Sequence, residues 1–160
     1  ITGEQFVLET QLESDLELLL PDSYVTGSSE RMLLYRELDN LKLDEEVVTF
    51  KKRLIDRFGD IPAETEELLW VVPLRRIAAR LGVERVFLKG KRMTLFLVSD
   101  SNSTYYQSEM FGRLINYMMA HTKRCDLREK NGKRSMLIKD VTSVKDAVSI
   151  LQEILATPSN

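Results

Sequence analysis

His121 and Cys125 are the only histidine and the only cysteine in the chain, and they stand four residues apart. An imidazole and a thiol are the two side chains best suited to nucleophilic or metal chemistry near neutral pH. Two ligands do not complete a zinc site, however, and no second His or Cys cluster supplies the rest. His121 falls at the expected end of a helix, where its charged form suits the helix dipole. No Ser/His/Asp or Cys/His arrangement announces itself by motif. The two Gly-Lys pairs, Gly90-Lys91 and Gly132-Lys133, lack the upstream glycine of a phosphate-binding loop and read as hairpin turns. The carboxylates occur in capping or solvated-face contexts, which leaves open an acid–base pair formed in space rather than in sequence. The expectation is a domain that is not an enzyme and carries no cofactor or metal of its own.

Nucleic-acid binding has two candidate regions. One is a helix pair over residues 44–81. A recognition helix offers its N-terminal residues to the groove and its phosphates. Here those residues are Asp60, Glu64, Glu66 and Glu67, which would repel the backbone that supplies most of the affinity. The other is the basic cluster Lys123, Arg124, Arg128, Lys130, Lys133 and Arg134. It spans a hairpin and has no interleaved aromatic residue to stack on a base, so a solvated hairpin is its plainer reading.

The whole chain has 160 residues, 43% hydrophobic and 30% charged, with a formal net charge of −2. This is the composition of a globular domain, and it provides no global attraction for nucleic acid. The charge is polarised: residues 1–30 hold seven acids and no base, whereas residues 91–160 hold eleven bases and seven acids. A single cysteine forbids an internal disulfide and points to a reducing compartment. No run of eighteen apolar residues is present. The chain begins at Ile1 without a basic leader, which suggests a piece of a longer chain.

The elements that would position these residues follow from hydrophobic period. Phe6, Leu8, Thr10 and Leu12 alternate with polar residues and predict a strand. Residues 15–25 read as a second extended piece closed by Pro21-Asp22. Ser28 or Ser29 is expected to cap a helix reaching Asn40, and Asp44 to cap the next. In that second helix Val47, Phe50, Leu54, Ile55 and Phe58 form the apolar stripe. Glu45, Thr49, Lys52 and Asp56 occupy the opposite face. Gly59 stops the helix from a left-handed position. Asp60 and Pro62 open a third helix, which Pro73 should kink or break near Leu69. The period then changes to two. Residues 83–89 and 92–98 predict a hairpin, a helix follows over about 104–120, and a second hairpin turns at Asn131-Gly132 with type I′ chemistry. Ser143 with Asp146 caps the last helix, Val144 to Ala156. The fold class expected is α+β: a helical N-terminal half packed with antiparallel β-hairpins, each followed by a helix.

Several of these residues carry a resemblance. Pro21 with Tyr24, Arg31 with Tyr35, the run Ile55-Asp56-Arg57-Phe58-Gly59 with Pro62 three residues on, and Leu81-Gly82 before a strand are similar to the C-terminal domain of bacterial transcription-repair coupling factors, the Mfd family. The resemblance covers about residues 15–90. It implies that residues 1–160 are a single C-terminal regulatory domain of a larger cytoplasmic ATPase, with 1–14 partly linker or extended and 157–160 a frayed tail. The parent recognises RNA polymerase stalled at DNA damage, translocates on DNA and recruits excision repair through UvrA. Its motor, with ATP and magnesium, lies outside this domain. The domain packs on the UvrB-like N-terminal module of the same protein, covers the UvrA-binding surface and touches no membrane.

The resemblance gives Asp56 a second reading. Packing does not require an acid there. A solvent-facing Asp56 would pair with Lys52 at i−4, worth ~0.3–0.5 kcal/mol. The alternative is an acid that meets basic groups on the UvrA-binding face. Asp56, Arg53, Lys52 and Glu45 are therefore the candidate intramolecular interface. Many relatives carry Glu where this chain has Arg53, which leaves one acid of an acidic pair. The competing reading is a DNA-contacting accessory domain that uses the basic hairpin.

Overall fold

The element order of the computed structural model, which describes residues 5–160, is β1 (Gln11–Ser14), α1 (Ser28–Asp39), α2 (Asp44–Phe58), α3 (Ala63–Arg80), β2 (Val83–Lys89), β3 (Arg92–Leu97), a short 3-10 helix (Thr104–Gln107), α4 (Glu109–Ala120), β4 (Cys125–Lys130), β5 (Lys133–Lys139) and α5 (Val144–Ala156). The α+β expectation holds, and each hairpin is followed by a helix. Contacts divide the chain into two compact units: residues up to Leu16 together with Leu74–Asn160, and Glu17–Pro73. The expected linker positions 1–4 lie outside the described residues.

The Glu17–Pro73 unit is helical. Its core gathers Leu20, Leu38, Phe50, Leu54, Leu69 and Val72, with Val47 and Phe58 partly buried against it. Burying a Leu or Phe side chain contributes about 1.5–3 kcal/mol. Ile55 departs from the expected stripe and is 41% exposed. At about 100° per residue it lies some 100° from Leu54, at the edge of the apolar sector. Residues 15–25 form no strand; they run as bends and turns. Their backbone groups find partners singly. The Pro21 carbonyl accepts from Tyr24 N and Val25 N, each at 3.0 Å. Leu20 N donates to the Tyr35 hydroxyl at 2.7 Å, and the Thr65 hydroxyl donates to Leu19 O at 2.9 Å.

The caps differ from expectation by a residue or two. Gly27 precedes α1, and neither Ser28 nor Ser29 caps it. Leu43 precedes α2, so Asp44 is the first helical residue rather than the cap. Leucine has no side-chain acceptor, and only the reciprocal half of a capping box forms: Glu46 Oε1 accepts from Leu43 N at 2.8 Å and Lys42 N at 2.9 Å. Those two bonds hold the Glu46 carboxyl below its ordinary pKa. Gly59 ends α2 as predicted, at φ 89° and ψ −164°. That is a glycine region distinct from the left-handed helical one. The third helix starts after Pro62, whose carbonyl accepts from Glu66 N at 2.9 Å. Asp60 therefore lies outside the helix it was expected to cap. Pro73 does not break α3, which runs on to Arg80, although it has no N–H to give to Leu69 O.

In the other unit the five strands run in the order β1-β2-β3-β5-β4. All neighbours are antiparallel except β1, which pairs parallel with β2. The sheet is mixed, and β1 is shorter and later than the alternation at 6–12 predicted. Burial does not follow the expected alternation: Val7 and Thr10 are buried while Leu8 is 83% exposed, and Thr10 donates its hydroxyl to Val83 O at 2.7 Å. Both hairpin turns have positive φ at two successive residues, Gly90 and Lys91 (both 60°), Asn131 (55°) and Gly132 (75°), as a type I′ turn requires. Residues 104–120 are interrupted at Ser108, which caps α4 by accepting from Phe111 N. Ser143 caps α5 by accepting from Asp146 N at 2.9 Å.

One face of the sheet is apolar and buried, through Val86, Leu88, Met93, Leu95, Met136 and Ile138. The apolar stripe of α5 is buried along its length, and α4 packs on α5 and β4. Gly82, at φ 83°, lets the chain pass Tyr105: a Cβ there would stand 2.1 Å from its ring. Tyr105 donates to Leu81 O at 2.7 Å. Residues 157–160, expected to fray, meet α4. Asn116 Nδ2 donates to Pro158 O at 2.9 Å, and Ser159 lies against Gly112.

Candidate functional site

The candidate site lies on the outer side of α2. Its amphipathic period turns Phe50 and Leu54 inward and leaves Glu45, Thr49, Lys52 and Asp56 in one exposed row along the helix. The sequence thus places three of its four candidates, Glu45, Lys52 and Asp56, on a common stripe. The expected Lys52–Asp56 pair does not form. Among the described residues, no hydrogen bond or ion pair engages the Asp56 or Lys52 side chain.

Arg53 is placed differently. Its guanidinium pairs with Glu37 of α1 and lies 5.4 Å from the Phe50 ring centroid. Arg57 pairs with Glu30 of α1 and sits 5.3 Å from the Phe58 ring centroid. On the other flank Lys51 meets Glu66 of α3 at 2.7 Å. Exposed pairs of this kind contribute about 0–1 kcal/mol each. They tie α2 to its neighbours on both sides and leave the Lys52 and Asp56 side chains unengaged.

Two apolar residues adjoin that row. Val48 is 53% exposed and Ile55 41% exposed. Both fall on the same edge of the helix at about 100° per residue. Sequence reasoning assigned Ile55 to the core and passed over Val48. The available signal was an apolar sector wider than Val47, Phe50, Leu54 and Phe58 need.

The residues that carried the resemblance serve local architecture. Tyr24 donates its hydroxyl to Gly59 O at 2.7 Å and Leu54 O at 3.2 Å, closing the corner after α2. Arg31 donates to Val25 O at 2.7 Å and also to Thr26 O. Tyr35 receives Leu20 N. Three long polar side chains thereby satisfy the backbone of an irregular segment. Asp56 is a member of the same run that satisfies nothing of this kind.

The chemically versatile pair is occupied by structure. The His121 ring stacks on Tyr117 at 4.1 Å, and its Nδ1 lies 2.8 Å from Tyr117 O. Cys125 is buried, and burial pushes its thiol pKa up, away from the thiolate a nucleophile needs. Among the described residues no three His, Cys, Asp or Glu side chains gather as a metal site would require.

The basic cluster is dispersed by the hairpin. Arg124 donates to Lys139 O at 2.7 Å and Asp140 O at 2.9 Å. Arg128 pairs with Asp126 at 3.2 Å. Arg134 lies over the Tyr106 ring at 4.2 Å. Lys130 and Lys133 face each other across the turn.

Comparison with known proteins adds the lineage. The family model described as the TRCF domain matches residues 14–108. The transcription-repair-coupling factor of Rickettsia bellii is 28% identical over 131 residues, covering 82% of this chain and 11% of that protein. That of Staphylococcus haemolyticus is 30% identical over 103 residues, covering 64% of this chain and 9% of that protein. This chain thus spans about a tenth of the length of the curated relatives it matches. A crystal structure of the C-terminal domain of a transcription-repair coupling factor superposes with a TM-score of 0.73 at 15% identity, covering 92% of this chain and 94% of that one. The motif that closes the corner after α2, the matched family model and the shared fold agree: this chain belongs to the TRCF-domain family.

Proposed function

We propose that this chain is the non-catalytic regulatory domain of a transcription-repair coupling factor, acting in nucleotide-excision repair in the cytoplasm. It rests against the UvrB-like N-terminal module of the same protein, masks the surface that UvrA must reach and restrains the DNA translocase until stalled RNA polymerase is engaged. ATP and magnesium serve the motor elsewhere in the parent, and DNA is met through the parent.

One observation carries this reading. Asp56 is an exposed acid without an internal partner, in a row with Glu45 and Lys52, beside the exposed aliphatic side chains of Val48 and Ile55. An aliphatic edge next to charges free to pair outward is how a protein interface is built. Arg53, the fourth candidate, stands beside this row on α2 and pairs with Glu37 of α1. The test uses the full-length factor. Asp56→Ala should raise UvrA binding at rest several-fold, and Asp56→Glu should leave it near the parent value. Unchanged UvrA affinity in Asp56→Ala would sink the proposal.

A further inference from the structure

The opposite face of the sheet, on which Leu137 is buried between Thr94 and Asp126, has a composition that folding does not explain. Pairing places Arg85, Phe87 and Lys89 of β2 next to Phe96, Thr94 and Arg92 of β3. The two rings meet edge to face at 5.4 Å. Arg85 lies over both, 4.5 Å from the Phe87 centroid and 4.4 Å from that of Phe96, and Lys89 is 5.0 Å from Phe87. Phe87 and Phe96 both remain partly exposed. β5 pairs with β3, so Ser135 stands opposite Phe96 and Lys139 opposite Arg92. The second hairpin, which has no aromatic on its own strands, thereby gains two from the first.

The cations on this face oppose one another. Lys89 faces Arg92, Arg92 faces Lys139, and Lys130 faces Lys133. Like charges directly across a ladder destabilise a sheet, and all five of these side chains are exposed. Two acids share the face. Glu13 lies 3.6 Å from Arg85 and 3.5 Å from Lys89, and Asp126 pairs with Arg128. They leave two cationic pairs at opposite ends of β5, Arg92 with Lys139 and Lys130 with Lys133, without a counter-charge on the sheet.

We infer that this open face binds single-stranded nucleic acid. Partly exposed rings, with a guanidinium close to both, offer unpaired bases a stacking surface. The opposed lysines and arginines at the rim lie where a phosphodiester backbone would relieve their repulsion. A duplex has its bases stacked internally and would leave the rings unused. An acidic protein would engage the cations without needing the aromatics. This inference is independent of the role given to α2, which lies on other residues.

The test is fluorescence anisotropy of this chain with labelled dT12 at low salt. Binding should weaken with salt, with a log–log slope of about −3 if four phosphates are neutralised. Phe87→Leu with Phe96→Leu keeps apolar bulk while removing the rings, and should weaken binding at least tenfold while thermal unfolding stays cooperative. Glu13→Gln should tighten it a few-fold by freeing Arg85 and Lys89. Absence of dT12 binding at 50 mM salt (roughly where a four-phosphate contact is still strong) would overturn the inference. So would equal binding by the double leucine variant, tighter binding of a matched duplex, or equal competition by polyglutamate, the last of which would assign the face to an acidic protein.

Discussion

The outer face of α2 and the open face of the sheet are both charged, and they are charged in different ways. Along α2 the signs alternate through Glu45, Lys52 and Asp56, and the neighbours are aliphatic, Val48 and Ile55. On the sheet one sign dominates, like charges are set opposite each other, and the neighbours are aromatic. Mixed signs beside aliphatic carbon suit a protein surface of complementary pattern. One sign beside π-faces suits a polyanion with bases to stack. The net charge of −2 predicts neither, because recognition depends on where charges stand and what lies between them.

The contrast presumes that each face is displayed by its own scaffold, and the most severe way to break it is to damage one scaffold. Gly82→Ala puts a methyl group into the Tyr105 ring at a positive φ, and should destabilise the sheet unit by about 3 kcal/mol or more. Urea unfolding would measure the loss, and oligonucleotide binding by the sheet face should fall with it. Leu54→Ala hollows the Glu17–Pro73 core beneath the α2 row, where Leu54 is 1% exposed. It should cost about 3 kcal/mol. Hydrogen exchange should show the protection lost across residues 17–73 first; uniform loss over the whole chain would show that the two units do not open separately.

A gentler probe uses pH. Tyr117 is buried and faces Glu153, and burial first, then the nearby carboxylate, pushes its hydroxyl up from 10.0 to about 12. The folded state therefore prefers the neutral phenol. That stability is complete below pH 10 and declines as pH rises from about 10 to about 12. Urea midpoints taken from pH 9 to 11.5 (roughly that window) should fall. Tyr117→Phe should flatten part of the fall, the rest belonging to other tyrosines such as Tyr105, which is shifted in the same direction. The smallest effect should come from Asp56→Ala. Because the side chain has no internal partner, stability should change by less than about 0.5 kcal/mol. A larger loss would mean that Asp56 holds the fold together, and its place in the proposed interface would fall.

Much of this molecule was legible from local chemistry. Glycine at 59, the Asn131-Gly132 turn and the Ser143 cap fixed their elements because each answers a backbone requirement within a few residues. Cap positions were less legible. Asp44 and Asp60 have the right side chain, but Leu43 and Pro62 occupy the positions in space, and Glu46 satisfies the α2 terminus from inside the helix. The strand expected at 6–12 failed because alternation cannot reveal where a ladder with a partner edge forms; only Gln11–Ser14 pairs with β2. Pro73 failed as a breaker because a single missing hydrogen bond is tolerated where the helix is otherwise packed, and Leu74 and Ile77 just beyond it are buried.

The candidate site divides along the same line. Helical period alone put Glu45, Lys52 and Asp56 on one stripe, since three residues on one helix need only 3.6 residues per turn to share a face. The separation of Arg53 from that stripe depended on Glu37, sixteen residues earlier in the chain and on another helix. The exposure of Ile55 depended on how wide a sector α1 and α3 could cover. On the sheet the sequence set out basic residues in one hairpin and aromatic residues in the other, and separation along the chain made the basic hairpin look bare. The pairing of β3 with β5 brought them together. Sequence determined what is periodic or capped within a few residues, whereas tertiary structure decided what distant segments place side by side, because a strand's register and a helix's neighbours are set by long-range burial.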